Sequence, residues 1–376
     1  NNSTQTAGIA VFTSGAAVVA DNQVSNVSLT STTTVSSATY LNLVCGISMG
    51  NNGAAGSVLR NRIWNNSSQA PAFATSPNVL DGVQGLLNPD TYATLTAANN
   101  QIAPGSGSAA GVPVTGILST ASGTGNAFYY NSVYLTGSGS ADSYAFRRTG
   151  TAASGQLRNN IFYNERTGAG SHYALGYAAA ASWTATTSNY NLLVTADNAK
   201  VGNTAGTARD FTGWKATSGG DANSSYYQPS AAEVGGSAAG LFTAPATADL
   251  SINSGFAGTP SPLESGGVAL PGIVDNDFQG DIRQGSPGYA GSGTKPDIGA
   301  DEYNGAALPI MQYAATAVTQ ISTPVYAGTT NQAVLRVEVT TTGSFNPLQL
   351  TQLDFTADGT TDLANISNAR VYYTGT

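Results

Sequence analysis

The phrase VLRNRIWNNS at residues 58–67 returns almost letter for letter as QLRNNIFYNE at 156–165. A chain that rewrites the same polar–apolar–aromatic phrase at intervals is confined to architectures built from repeated units. The core of the phrase, Asn-x-(Ile/Val), stands at Asn22–Val24, Asn61–Ile63, Asn100–Ile102, Asn131–Val133 and Asn159–Ile161, with a degenerate copy, SNYNLL, around Asn189. Successive asparagines lie 39, 39, 31, 28 and 30 residues apart. A second beat precedes each one: Gly8-Ile9, Gly46-Ile47, Gly82-Val83, Gly116-Ile117, then Ala145-Phe146 and Ala174-Leu175. Two short apolar stretches per period at near-constant internal spacing predict two strands per unit.

Helical repeats share such periods, but no 3.6-residue apolar face is present and Gly and Thr interrupt every candidate helix. Propeller blades need four strands per unit. The remaining choice is the coil of a right-handed parallel β-helix, each rung laid on the one below. At the ordinary strand spacing of about 4.8 Å, six rungs make a rod roughly 25–30 Å long. Equivalent residues then form columns. Ile9, Ile47, Val83, Ile117 and Phe146 are predicted as one inward column, and Val24, Ile63, Ile102, Val133 and Ile161 as another. Asn22, Asn61, Asn100, Asn131 and Asn159 are predicted at a bend, where stacked amides hydrogen-bond along the ladder and where asparagine tolerates left-handed backbone.

The next position faces outward: Ser25, Trp64, Ala103, Tyr134, Phe162. Trp64, Tyr134 and Phe162 could stack on sugar rings; the alternative is that loops of the longer rungs cover them.

Composition supports strands and turns. Only 9% of the 376 residues are charged, against about 25% in typical domains, and the plentiful Gly, Ser, Thr and Asn are poor helix formers. Net charge is −8, with six acids and seven bases in residues 1–200 and fifteen acids and six bases in 201–376. Neither half carries the basic field that nucleic acid requires. No run approaches the ~18 apolar residues of a membrane-inserting span. Cys45, the single cysteine, excludes an intrachain disulfide and reads as a packing residue in an apolar strand. This composition suits the outside of a bacterial cell, and the start at Asn1 is then expected to be a mature end or an internal cut.

Catalysis needs paired carboxylates, or carboxylate-held calcium beside a base. The rungs offer only Asp21, Asp81, Asp90, Asp142, Glu165 and Asp197, and no two share a column on neighbouring rungs. His172, the single histidine, is expected on the surface or in packing. With one Cys and one His a Cys/His metal cluster is excluded.

After residue 195 the rhythm fades. ARDFTGWKATSGGD (208–221) reads as a short helix or turn anchored by Phe211 and Trp214. The segment IVDNDFQGDIRQGSPGYAGSGTKPDIGADEY (273–303) then carries Asp277, Gly280, Arg283, Asp297, Ile298, Gly299, Ala300, Glu302 and Tyr303. In this pattern it resembles the closing segment of right-handed parallel β-helix proteins from the surfaces of Bacteroidota, which implies a covered sheet edge at the rod's end and export by the type IX route. DNDFQGD also resembles the start of a calcium loop, with Asp275, Asp277 and Asp281 as candidate ligands, but Ser286 stands where the bidentate Glu is needed. Ion pairing with Arg283 or Lys295 and turn capping form the alternative.

Beyond Pro309 strict alternation sets in: in VLRVEVT, Leu335, Val337 and Val339 share one side, Arg336 and Glu338 the other. Further strands are expected around Leu350–Phe355 and Arg370–Tyr373. This segment looks like the opening of the β-sandwich on the N-terminal side of BNR-repeat neuraminidases, and its shortness suggests a window on a longer multidomain chain. The reading is therefore all-β: residues 1–305 a right-handed parallel β-helix with a capping segment, 306–376 an incomplete β-sandwich module. The expected role is structural or adhesive at a bacterial surface, contacting a glycan or another protein through insertions at 66–80 and 84–99, with self-association open. The alternative is a carbohydrate-binding or polysaccharide-degrading module.

Overall fold

The computed structural model describes residues 4–13, 15–30, 42–50, 55–69, 82–88, 94–120, 125–150, 155–179, 186–324, 326, 328–345, 348–356, 362, 364, 366 and 368–374. Two compact units result, Asn1–Ala307 and Leu308–Thr376. Ala306–Ala307 pairs with Pro260–Ser261 and so belongs to the first.

The first unit is a parallel β-helix. Among the described residues six full rungs contribute one strand each to three parallel sheets. The first sheet runs Thr4–Phe12, Asn42–Gly50, Gly82–Asn88, Val114–Ser119, Ser143–Arg148, His172–Tyr177 and Gly202–Thr204, and ends on antiparallel Thr207–Arg209. The second stacks Ala17–Ala20, Ala55–Leu59, Thr94–Ala98, Asn126–Tyr129, Gly155–Arg158 and Thr186–Asn189. The third stacks Gln23–Ser25, Arg62–Trp64, Gln101–Ala103, Ser132–Leu135, Ile161–Asn164, Leu192–Thr195 and Ser225–Tyr227. Parallel crossover connections in one sheet are right-handed in about 98% of cases, the winding the sequence predicts.

Ile63 pairs with both Val24 and Ile102, and all lie in one core. Two of the predicted columns contain an error of register. In the first sheet Ile47 pairs with Leu86, which pairs with Ile117; Val83 instead pairs with Val44 and Val114. The second beat of that rung is therefore Gly85-Leu86, and residues 82–88 are strand rather than part of a contact loop. In the third sheet Val133 pairs with Phe162, not Ile161. Textually, Leu59-Arg60-Asn61 matches Leu157-Arg158-Asn159; spatially, Leu59 is above Ala98, Ala98 above Tyr129, and Tyr129 above Arg158. The repeated phrases are counterparts displaced by one residue. A slip of one turns every side chain to the opposite face, so Phe162 enters the core and Ile161 faces out.

The ladder asparagines are Asn22, Asn61, Asn100, Asn131, Asn160 and Asn191. Each Nδ2 donates to the next Oδ1 at 2.8–3.0 Å, and each backbone N–H donates to that same Oδ1. From Asn61 onward, the other Nδ2 proton goes back to a carbonyl of the preceding rung: Val19, Val58, Ala97, Phe128, Leu157. Asn159 and Asn189 are not rungs of it. The left-handed residue is the one before each ladder asparagine, namely Asp21, Arg60, Asn99, Tyr130, Asn159 and Tyr190, with φ between 51° and 61°. Such a backbone costs about 1–2 kcal/mol for a residue with a Cβ, and it recurs at every turn because the ladder and the sheets hold it.

A small-residue column lines the inside of the first sheet. A Cβ on Gly8, Gly46, Gly85 or Gly116 would fall 2.2–2.3 Å from a branch methyl of Val24, Ile63, Ile102 or Val133. Where the register places Phe162 and Leu193, which lack a branch at Cβ, the column changes to Ala145 and Ala174.

The rod's far end is sealed. Helix α1, Phe211–Ser218, is capped by Asp210 accepting from Gly213 N–H and by left-handed Gly219. It buries Trp214 against Tyr177, ring centroids 5.0 Å apart.

The second unit, by itself, pairs Gln312–Gln320 antiparallel with Leu335–Thr342. The strands expected at Leu350–Phe355 and Arg370–Tyr373 are not formed, and none of the described residues of this unit is buried. Two strands cannot close a sandwich core.

Candidate functional site

The outer face of the third sheet carries the aromatic strip that the repeat predicts. In the true register it reads Ser25, Trp64, Ala103, Tyr134, Tyr163, Val194. It is not open to a ligand. Tyr134 meets Tyr163 edge-on at 5.6 Å, and both rings lie within 6.3 Å of Phe242. Leu241, Leu250, Phe256, Leu263 and Ile298 complete a second apolar core over this face, with Trp64 half-buried at its margin. The covering is supplied by residues 231–303 rather than by rung loops. Of the three candidate sugar contacts, Tyr134 is 7% and Phe162 0% exposed, and Trp64 packs against the cluster.

The motif residues of 273–303 fasten this cover. Asp277 caps a turn, its Oδ1 accepting from the N–H groups of Gly280 and Asp281 and its Oδ2 from Glu302 N–H. Asp297 accepts from Ser265 and Tyr303 N–H. Glu302 accepts from Gln284 and Asp297 N–H and from Arg283. Arg283, fully buried, also donates to Gly299 O and Asn99 Oδ1 and lies 3.9 Å over the Tyr130 ring. Gly299 has φ 103°, and a Cβ there would fall 2.5 Å from Ile161 Cδ1.

The cover engages the left-handed corner column. Asn99 donates to Asn276 O, Tyr130 to Val268 O, and Asn159 both donates to Val268 O and accepts from Val268 N–H. Asn159 thus leaves the ladder but anchors the clasp. The doubled asparagine of LRNNIF was the signal that could have separated these two roles.

Burial dominates the clasp's electrostatics. It pushes Asp301 up to about 7, and raises Asp277 and Glu302. Burial, then the negative charges of Glu302 and Glu264, holds Asp297 well above the usual carboxylate range.

The calcium set does not fit. Both oxygens of Asp277 receive backbone N–H donors, and Asp275 Oδ1 accepts from Gly272 N–H and Ser286 hydroxyl. Asp275, Asp277 and Asp281 do not converge, and no group of three His, Cys, Asp or Glu is placed to hold a metal among the described residues.

The rung acids are also engaged. Asp21 pairs with Arg60 at 2.7 Å, which holds its carboxyl below the usual range. Asp142 accepts from Ser171 N–H, Asp197 from Ala199 N–H, and Glu165 from Tyr134 and Thr136 hydroxyls. Asp81 and Asp90 lie outside the described residues, as does 70–80 of the expected contact loop. His172 Nδ1 is 2.9 Å from Ser143 Oγ, but that hydroxyl is fully buried and bonded to Asn164, so it offers no nucleophile. Cys45 is buried beside Leu43, Leu87 and Leu118, and burial raises its thiol well above the usual range.

A concavity lies on the outer face of the first sheet, over rungs five and six and the Gly202–Thr204 strand beyond them. It has a volume of about 410 Å³ and is lined by Asp142, Tyr144, Arg147, Tyr173, Gly176 and Asn203 among others. Tyr144 and Tyr173 stack at 5.2 Å with 19° between planes. The Tyr144 ring lies across Gly176, where a Cβ would fall 2.5 Å from Tyr144 Cδ1. The Arg147 guanidinium sits 4.6 Å from that ring's centroid and forms no ion pair among the described residues. The hollow therefore presents a cation beside a carboxylate, an amide and tyrosine edges. Tyr144 and Tyr173 recur one rung apart at the position before Ala145 and Ala174, so the pair is legible in the sequence.

A family model described as the N-terminal domain of BNR-repeat neuraminidase matches residues 314–376. No curated protein matches the chain, and no solved structure matches it. The match covers an associated domain and no catalytic one. Among the described residues no helix is long and apolar enough to cross a membrane.

Proposed function

We propose that this chain is a non-catalytic structural and adhesive segment of a large secreted or cell-surface protein. The observation that carries the reading is the engagement of its acids: every described rung carboxylate, and the motif carboxylates Asp277, Asp297 and Glu302, receive hydrogen bonds that hold backbone or neighbouring side chains. Carboxylates that hold backbone turns and neighbouring side chains in this way serve the fold, which favours a structural role for them over hydrolysis or elimination. The match at 314–376 supports a multidomain setting, and the closing motif's resemblance supports a Bacteroidota-type surface location and type IX export. Incubation with a panel of acidic and neutral polysaccharides tests it; release of reducing or unsaturated ends from any of them overturns it.

A second reading, favoured by the hollow at Tyr144, Arg147 and Gly176, is non-catalytic glycan binding, with Arg147 addressing an acidic group. Calorimetric titration with acidic oligosaccharides checks it. Binding abolished by Arg147→Ala and by Gly176→Leu supports it, and binding unchanged in both moves the contact elsewhere.

A further inference from the structure

The amide ladder has a direction. From Asn61 to Asn191, each Oδ1 accepts two N–H groups from the asparagine one rung earlier, while each asparagine donates to the rung that follows. Asn22 donates in the same way, yet its own Oδ1 receives no donor among the described residues. All three strands of its rung, Thr4–Phe12, Ala17–Ala20 and Gln23–Ser25, stand at the edges of their sheets. Ile9 and Val11 are part-exposed where their partners Ile47 and Met49 are fully buried, and Phe12 and Val18 are about 70% exposed.

We infer that this edge is a stacking platform for a further parallel β-solenoid coil, whose corner residue donates its N–H and side-chain amide to Asn22 Oδ1. An unpaired edge invites a strand, but three edges around one apolar core, with an acceptor at the corner, specify a whole coil running in the same sense. A second copy does not meet the specification. Set edge to edge, two such rungs run antiparallel and oppose Asn22 Oδ1 to Asn22 Oδ1, acceptor against acceptor. The other end of the rod offers no donor either, because its ladder stops on a buried carboxylate, Asp221, which takes Asn191 Nδ2, Ser188 and Ser224 hydroxyls and Trp214 Nε1.

The register supplies the test. Ser143, Val114, Val83, Val44 and Thr6 occupy one column, so a copy of residues 114–142 fused ahead of Thr6 places one extra turn in phase. Amide hydrogen exchange in 6–12, 17–20 and 23–25 is expected to slow by about tenfold or more relative to the parent chain, and the added coil to resist protease. Changing the added copy's asparagine, the counterpart of Asn131, to Asp removes the donor and is expected to reverse most of that protection. A copy of residues 83–113, fused at the same point, serves as a second coil. The inference is overturned if both added coils stay protease-sensitive with first-rung exchange unchanged, if the Asp version protects equally well, or if the parent chain forms edge-to-edge dimers in sedimentation.

Discussion

The two ends of the rod are made from the same columns and finished in opposite ways. At the far end the core columns close on Leu175 and Leu193, both fully buried, beneath Trp214. The ladder there passes from Asn191 to Asp221, whose side chain accepts from Asn191, Ser188, Ser224 and Trp214. At the first rung the columns fade outward through Ile9, Val11, Ala17 and Val27, all part-exposed, and the ladder ends on Asn22 Oδ1, which receives no donor among the described residues. In a stacked coil a side chain's burial depends on whether the next rung is supplied, so identical letters carry different weight by position. Sealing an end requires a residue that breaks the repeat, and among the described residues it stands at the far end.

The largest expected effect lies in the seal. Trp214→Ala removes a buried ring and the indole N–H bonded to Asp221, and should cost about 3–5 kcal/mol in urea or thermal unfolding. Val18→Ala at the open end should cost under about 0.5 kcal/mol. Equal losses would erase the contrast.

Next comes the ladder. Asn100→Ala removes the acceptor of the Asn61 backbone N–H and of one Asn61 Nδ2 proton, and the amide donor to Val58 O, at about 1–3 kcal/mol for each group left unpaired. Asn22→Ala strands fewer and more exposed groups, and should cost under about 1 kcal/mol. Within the core, Gly85→Ala drives a methyl against Ile102 and should lose about 1–3 kcal/mol through overpacking. Ala145→Gly, facing Phe162, should cost roughly 1 kcal/mol.

The smallest and most conditional effect is the clasp's response to pH. Asp301 has a folded-state pKa raised from 3.8 to about 7. The folded state thus holds a proton that the unfolded chain releases. The associated stability is complete below about pH 4 and is lost as pH rises through 7. Asp277, Asp297 and Glu302 shift in the same direction. Asp21, lowered by Arg60, has the opposite sign: its contribution is present above the ordinary carboxylate range and lost as pH falls through its folded value. Exchange measured between pH 4 and 8 should therefore show the clasp amides losing protection as pH rises while the corner at Asp21 does not, and Asp301→Asn should flatten the clasp's profile.

Much of the rod was legible because stacking makes one rung's letters predict the next. Asn22, Asn61, Asn100 and Asn131 stand in the ladder where the repeat places them, as do Ile47, Ile63 and Ile102 in the core. The errors came where the text offered two equivalent registers. LRNNIF contains adjacent asparagines, and aligning the first instead of the second exchanged Ile161 with Phe162. Gly82-Val83 and Gly85-Leu86 likewise both satisfy a glycine–aliphatic beat, and only packing against Ile102 distinguishes them. The covering of Tyr134 and Trp64 was beyond reach of periodicity, since the clasp that buries them lies more than a hundred residues away and does not repeat. The motif residues were found as a pattern; that they bond to one another and to the corner column is a three-dimensional fact.

The central claim is that register, and it can be read by cross-linking. Partners in adjacent parallel strands lie close enough for a disulfide, which needs Cα atoms about 4.4–6.8 Å apart and Cβ vectors on the same side. In a Cys45→Ser background, the pair Val133→Cys with Phe162→Cys should oxidise to an intrachain bridge, and Val133→Cys with Ile161→Cys should not. Bridging in the second pair and not the first would mean that the column was drawn one residue out.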